Sequence, residues 1–156
     1  MQWEPTLFPV ISLPELNLPA IEPQLLKKED QVFIFDFLRK KHLVLTPEEW
    51  VRQHCIVYLE ALGFPKSNMT TEAGIQTGFK QKRTDIVATK AGKPIILVEC
   101  KAPNVKITQN TVIQAGVYNK KLDSPWMWIT NGVQHVWLKK DGEKTSFCHP
   151  PDSIER

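Results

Sequence analysis

The chain is poor in cysteine, and the three it has are not spaced as partners. Cys55, Cys100 and Cys148 are odd in number, far apart and without a C-x-x-C pair, so neither a disulfide framework nor a zinc site is indicated. No apolar run approaches the roughly 20 residues that span a bilayer. The N-terminus lacks a basic segment leading into an apolar signal core. Neither charge sign dominates: 20 Lys and Arg face 17 Asp and Glu, for a net charge of +3, which permits a polyanionic partner without demanding one. These absences lead us to expect a soluble, cytoplasmic protein with no membrane partner. Its 156 residues amount to one domain, long enough to bury a core.

Proline is plentiful and unevenly placed. The stretch "EPTLFPVISLPELNLPAIEP" is rich in a residue that fixes φ and removes backbone donors. Its spaced Leu, Phe and Ile suggest an extended arm over residues 1–30, lying against the domain of residues 31–156 or against a second copy. "QVFIFDFLRKKHLVL" is not resolved by period. In "LTPEEWVRQHCIVYLEALGFP", Thr46 suits an N-cap, Pro47 the first helical position, and Glu49 completes a capping box. Val51, Cys55, Tyr58 and Leu62 recur at helical spacing, and Gly63 supplies the stop. "GIQTGF" is a weak strand, "RTDIVAT" a better one and "KPIILVEC" the strongest. "TQNTVIQAGVYNKKL" reads as a second helix despite Gly116. Three closing strands are expected, joined at Asn131-Gly132 and Asp141-Gly142, which are strong hairpin signals.

The chemistry centres on the end of "KPIILVECKAP". Side chains alternate across a strand, so Ile95, Leu97, Glu99 and Lys101 are expected on one face and Ile96, Val98 and Cys100 on the other. Asp85 shares its face with Arg83 and Val87. A three-residue loop at Ala91-Gly92-Lys93 sets Asp85 opposite Glu99. A two-residue loop inverts every side chain and separates them. Two facing carboxylates need a cation between them, and oxygen ligands suit Mg²⁺, with Mn²⁺ as a substitute. The Cys100 backbone carbonyl, between the two side chains, is a further candidate ligand. Lys101 would orient or deprotonate an attacking water and neutralise growing charge. The competing account is a solvated Glu99–Lys101 pair with Asp85 in a hairpin salt bridge.

"RTDIVA", "IILVECKAP", "TQNTVIQAGVYN" and "WITNG" together resemble the N-terminal nuclease domain of the R subunit of type I restriction enzymes, of the PD-(D/E)xK superfamily. The resemblance runs from about Thr46 to Trp137. It implies an α/β, restriction-endonuclease-like fold: a central mixed β-sheet flanked by helices, with an αβββαβ core plus C-terminal hairpin strands. It also implies Asp85 and Glu99 as metal-binding acids, Lys101 as the catalytic lysine, and Mg²⁺-dependent hydrolysis of DNA. Gln114 and Tyr118, four apart and so on one helical face, match a Q-x-x-x-Y motif placed beside such sites. Glu49 is the candidate for an extra acid from the first helix, with Glu72 a weaker one. Arg52 and Gln53, on the same helical face as Glu49, would meet the phosphate or support the acids. Lys82 and Arg83, in the basic run "KQKR", are candidates for phosphate contact.

A type I R subunit continues into an ATP-driven motor, whereas this sequence has no G-x-x-x-x-G-K-[ST] loop. It therefore reads as a stand-alone version of the nuclease domain. A homodimer through the arm and the subunits of a restriction complex are the protein partners this reading admits. A nucleic-acid-binding or assembly module that keeps the fold without cutting is the alternative, and the motifs do not separate a DNase from an RNase.

Overall fold

Thr46 opens the first helix, α1 (Pro47–Leu62), by accepting the Glu49 N–H at 3.0 Å, and Gly63 closes it at φ 114°. The expected capping box is only half formed, because the Glu49 carboxylate turns to Arg52 instead of back to the cap. The computed structural model describes residues 13–71 and 86–152. Ahead of α1 come β1 (Leu25–Lys28), β2 (Gln31–Asp36) and β3 (Lys41–Val44). After it come a 3₁₀ turn (Lys66–Asn68), β4 (Met69–Thr70), β5 (Ile86–Lys90), β6 (Lys93–Cys100), α2 (Gln109–Leu122), β7 (Trp126–Thr130), β8 (His135–Asp141) and β9 (Lys144–Cys148). The chain is thus α/β. The weak strand expected in "GIQTGF", the candidate acid Glu72 and the first twelve residues lie outside the described residues.

The strands form two sheets. β1–β2–β3 is antiparallel, and β4–β5–β6–β7–β8–β9 is a mixed sheet in which, among the described residues, only β6 and β7 run parallel. A parallel pair needs a long crossover, and α2 supplies it. Alternation along β6 sorts two cores. Ile96, Val98 and Cys100 pack with α1, Ile34, Trp128 and Trp137 on one face. Leu97, Val87, Met127, Ile129 and Leu138 pack beneath α2 on the other. Because Ile34 and Leu25 join the α1 cluster, that helix lies between the small sheet and the large one, which is why its residues 50 to 56 are all buried. Trp128 and Trp137 stack at 4.9 Å and 9°, buried at 1 % and 5 % exposure, so these two rings serve the core.

The expected boundary between residues 30 and 31 falls in the turn between β1 and β2, which pair from Leu25↔Ile34 to Lys28↔Gln31. Upstream, residues 13–21 do lie against the domain. Leu16 is buried, the Trp50 indole N–H donates to the Pro14 carbonyl at 2.9 Å, and Asn17 N–H donates to the Gly132 carbonyl at 2.7 Å.

The β5–β6 connection corrects the expected loop. Lys90 pairs with Lys93, so the loop is the two-residue Ala91-Gly92, with both φ positive at 52° and 75°, the signature of a type I′ hairpin. Pairing then shifts from Thr89↔Pro94 to Ala88↔Ile96, leaving Ile95 as an extra residue. Proline has no N–H for the ladder, so a bulge beside Pro94 costs little pairing. Beyond it the register runs Val87↔Leu97 and Ile86↔Val98, the parity that a three-residue loop would have produced. Ile95 leaves the Glu99 face and joins the α1 cluster.

The later hairpins are also corrected. Thr130 pairs with His135, making the β7–β8 loop four residues, and Asp141 pairs with Lys144, so the β8–β9 loop is Gly142-Glu143.

In α2, a methyl group added at Gly116 would meet nothing within 4 Å. Gly116→Ala should therefore raise stability by about 0.5–1 kcal/mol, the usual helix-interior cost of glycine. A denaturant titration showing a loss instead would contradict this open surroundings.

Candidate active site

Glu99 and Lys101 occupy the C-terminal end of β6 and the residue just past it. The Lys101 ammonium lies 3.4 Å from Glu99 Oε1. Alternation expects both side chains to leave the core together, yet Glu99 is only 4 % exposed and Lys101 is half-buried. Glu99 points to the α2 side, as Leu97 does, and β7 backs it through the pair Glu99↔Ile129. A carboxylate held in such a place needs charged or donor partners, and Lys101 is one.

Backbone geometry adds an oxygen. Lys101 N–H donates to the Thr130 carbonyl at 2.8 Å, toward β7. No peptide bond among the described residues is cis, and in a trans peptide the carbonyl points opposite to the N–H that follows it. The Cys100 carbonyl is therefore turned away from β7, to the β5 side. The Cys100 thiol faces the α1 core, 3.8 Å from the Cys55 thiol, so the donors offered here are oxygens. A hard divalent cation fits that chemistry. Among the described residues, no group of three or more His, Cys, Asp or Glu could hold a metal ion. Asp85, the second expected acid, and Lys82 and Arg83, expected at the phosphate, lie outside the described residues. The ladder is described to Ile86↔Val98.

The α2 residues expected beside the site divide by helical geometry. Ala115 and Asn119 are buried, and Ala115 packs in the α2-side core with Val112 and Leu122 against it. Ile113, Gly116, Val117 and Lys120 line a groove of about 600 Å³ toward Leu138, Lys140 and Thr145 of β8 and β9. At 100° per residue, Gln114 and Tyr118 then fall on the opposite flank, the side of β5 and β6. Gln114 is exposed, and Tyr118 is half-buried against the core beneath α2.

Glu49, Arg52 and Gln53 do share a helical face, and a residue that the sequence reading missed organises them. Asp36, at the end of β2, is fully buried. Its Oδ2 lies 2.6 Å from Arg52 Nη2, and its Oδ1 accepts the Leu38 N–H at 3.0 Å and the Gln53 amide at 3.3 Å. Arg52 also binds both Glu49 oxygens through Nε, at 3.2 and 3.0 Å. Arg52 and Gln53 are 3 % and 0 % exposed; neither presents its polar end to solvent, as contact with DNA would need, and both support acids instead. Burial pushes the Asp36 pKa up, but the Arg52 guanidinium, the Leu38 N–H and the Gln53 amide more than reverse this and leave it below its ordinary value. The missed signal was available in "QVFIFD": alternation puts Asp36 on the face of Ile34, an acid at the end of an apolar stripe, as Glu99 is.

The two acidic centres sit on opposite faces of the large sheet but toward the same end. Cys55 of α1 touches Cys100, and Val51, one turn earlier, lies beside Gly132 just past β7. The first turn of α1, which holds Glu49, therefore reaches beyond the end of β6. His54, on the same helix, sends Nδ1 to the Trp50 carbonyl at 2.8 Å, and burial lowers its pKa, a structural role.

No curated protein and no solved structure matches the chain. A family model does: that of the type I restriction enzyme R protein N terminus (HSDR_N) matches residues 47–152 of the 156. That span takes in α1, β4 to β9 and α2, with Glu49, Glu99, Lys101, Gln114 and Tyr118 all inside it. Over most of its length, then, the chain belongs to the type I restriction enzyme R protein N-terminal family.

Proposed function

We propose that this chain is a Mg²⁺-dependent deoxyribonuclease of restriction-endonuclease-like fold, cutting DNA phosphodiester bonds. Its family membership already suggests a nuclease-related role. The observation that carries the finer reading is the buried Glu99 carboxylate with the Lys101 ammonium 3.4 Å away, at a strand end where the Cys100 carbonyl faces β5. Asp85 is assigned as the second acid because it immediately precedes Ile86 in the sequence, and Ile86 pairs with Val98, the neighbour of Glu99. Glu99, Asp85 and the Cys100 carbonyl would hold the ion, with Mn²⁺ as a substitute, and Glu49 is an auxiliary acid at the same sheet end. The ion supplies Lewis acidity toward a phosphate oxygen and a lowered pKa for water. Lys101 orients the attacking water and neutralises charge growing on the phosphate. Gln114 and Tyr118, on the flank of α2 toward β5 and β6, contact the DNA backbone beside the scissile bond, and Lys82 and Arg83 meet neighbouring phosphates. DNA and the other subunits of a restriction complex are the partners, in the cytoplasm, and a homodimer would address two strands.

The purified chain should be incubated with single-stranded, duplex and branched DNA and with RNA, in Mg²⁺, Mn²⁺ or EDTA, beside Asp85→Ala. Cleavage of DNA is expected only with the metal and only with Asp85. Cutting that survives Asp85→Ala sinks the proposed site, and preferred cutting of RNA overturns the substrate. No cutting of any substrate returns the protein to a non-cleaving nucleic-acid-binding or assembly module.

A further inference from the structure

Between Lys101 and Thr108, the N-cap of α2, the chain passes through six residues, 102–107, with no strand or helix of their own. Their only internal backbone bond is Val105 N–H to the Ala102 carbonyl at 2.9 Å. Among the described residues, one hydrogen bond ties them to the rest of the fold: the Asn131 side-chain amide donates to the Val105 carbonyl at 3.0 Å. Asn131 is 3 % exposed. Its other side-chain atom is fully used, since Oδ1 accepts the Val133 and Gln134 N–H groups at 2.9 and 2.6 Å. That shapes the β7–β8 loop as an Asx turn and fixes the direction in which the amide reaches.

The loop itself cannot drift. Thr130 Oγ1 accepts the Gly132 N–H at 2.8 Å, while the Thr130 carbonyl accepts the Lys101 N–H at 2.8 Å. Gly132 sits at φ 86°, where a Cβ would come within 2.8 Å of Leu16 and 3.1 Å of Val51. Thr130 and Asn131 thus hold the chain on both sides of the Lys101 side chain, one at its own amide and one four residues on.

We infer that Asn131 is a positioning residue for the Lys101 site: it clamps segment 102–107, and through it the spacing between Lys101 on β6 and Gln114 and Tyr118 on α2. This rests on the nuclease reading above. An error of about 1 Å in such spacing is enough to cost about 100-fold in rate. Asn131 itself touches no reacting atom.

Asn131→Ser separates the clamp from the turn, because a serine hydroxyl can still accept the loop N–H groups but cannot span to Val105. Two readouts apply, the first independent of activity. Amide exchange at Val105, the hydrogen-bonded amide of 102–107, and at Lys101 should speed up at least tenfold, with the amides of β7 and β8 unchanged. Single-turnover cleavage should slow by tenfold or more while the Kd for DNA stays within a factor of two. Asn131→Asp, which keeps the acceptor and sets a carboxylate against the Val105 carbonyl, should show the same pattern, more strongly. Unchanged exchange at Val105 in Asn131→Ser overturns the clamp. Faster exchange with an unchanged cleavage rate overturns its role in positioning. Should the unsubstituted chain cut nothing, the nuclease reading fails, and the exchange data still decide whether Asn131 holds the segment.

Discussion

Arg52→Ala should cost about 3–5 kcal/mol of folding stability, the usual penalty for removing one partner of a buried ion pair. The Arg52 guanidinium is 3 % exposed and serves two carboxylates, Asp36 and Glu49. Without it the fully buried Asp36 keeps, among the described residues, the neutral donors Leu38 N–H and Gln53 and the longer contact with Arg39, whose Nε is 3.8 Å from Oδ2. A buried charge left with a single longer cationic contact is what makes such a loss large, since a domain's total stability is only about 5–15 kcal/mol. The arrangement is not ideal even in the native protein. The short Arg52–Asp36 contact is a charge contact without good hydrogen-bond angles, and Arg52 Nη1 has no hydrogen-bond partner among the described residues. Replacing both groups by apolar residues, Asp36→Leu with Arg52→Met, should therefore cost less than Arg52→Ala alone. Urea titration would read both, as a shift in midpoint at constant slope. A loss below about 1 kcal/mol for Arg52→Ala would mean that the pair is not holding β2 to α1.

The same cluster sets an acid limit. Asp36 has a folded-state pKa below its ordinary 3.8. Its stabilising contribution is therefore complete above that value and is lost as pH falls through the lower folded-state value. Asp36→Asn should remove this part of the acid sensitivity, seen as a flatter dependence of the urea midpoint below about pH 4.

What the sequence disclosed divides by range. α1 was legible because its signals are local: Thr46, Pro47, Gly63 and an apolar spacing. The Glu99 and Cys100 faces were legible because strand alternation needs no tertiary information. The small sheet was not, because its turns carry no glycine or proline. Glu29 and Lys40 take positive φ at 57° and 54° there, a strain that no residue type announces. The β5–β6 register shows how a wrong step can end in a right parity. The bulge beside Pro94 adds the residue that the loop lacks, and no local signal separates a longer loop from a shorter one plus a bulge. The Asn131-Gly132 loop came out longer than its dipeptide suggests because the Asn131 side chain is itself a turn-former and claims two further N–H groups. Asp36 was missed because its partners lie 16 and 17 positions away on α1, a pairing that only the packed structure brings together.

Glu99→Gln and Lys101→Met should each lower metal-dependent cleavage by about 100-fold or more, the scale of losing one preorganised charge-stabilising group, while leaving the fold intact. Glutamine matches the volume of Glu99 in its buried place, and methionine matches the length of the half-buried Lys101 side chain, so neither opens a cavity. The two losses should differ in kind. Glu99→Gln removes a candidate ligand and should weaken Mn²⁺ binding at least tenfold. Lys101→Met removes a positive charge 3.4 Å from Glu99, and a cation is repelled less once that ammonium is gone. Mn²⁺ should then bind as well or better, with the rate lost at saturating metal. Calorimetric Mn²⁺ titration beside single-turnover cleavage reads both quantities on the same samples. A simple solvated pair at a strand end predicts neither effect. Full activity in either variant would place the chemistry elsewhere, and equal loss of Mn²⁺ affinity in both would make Lys101 a support for the Glu99 carboxylate rather than a group acting on the phosphate.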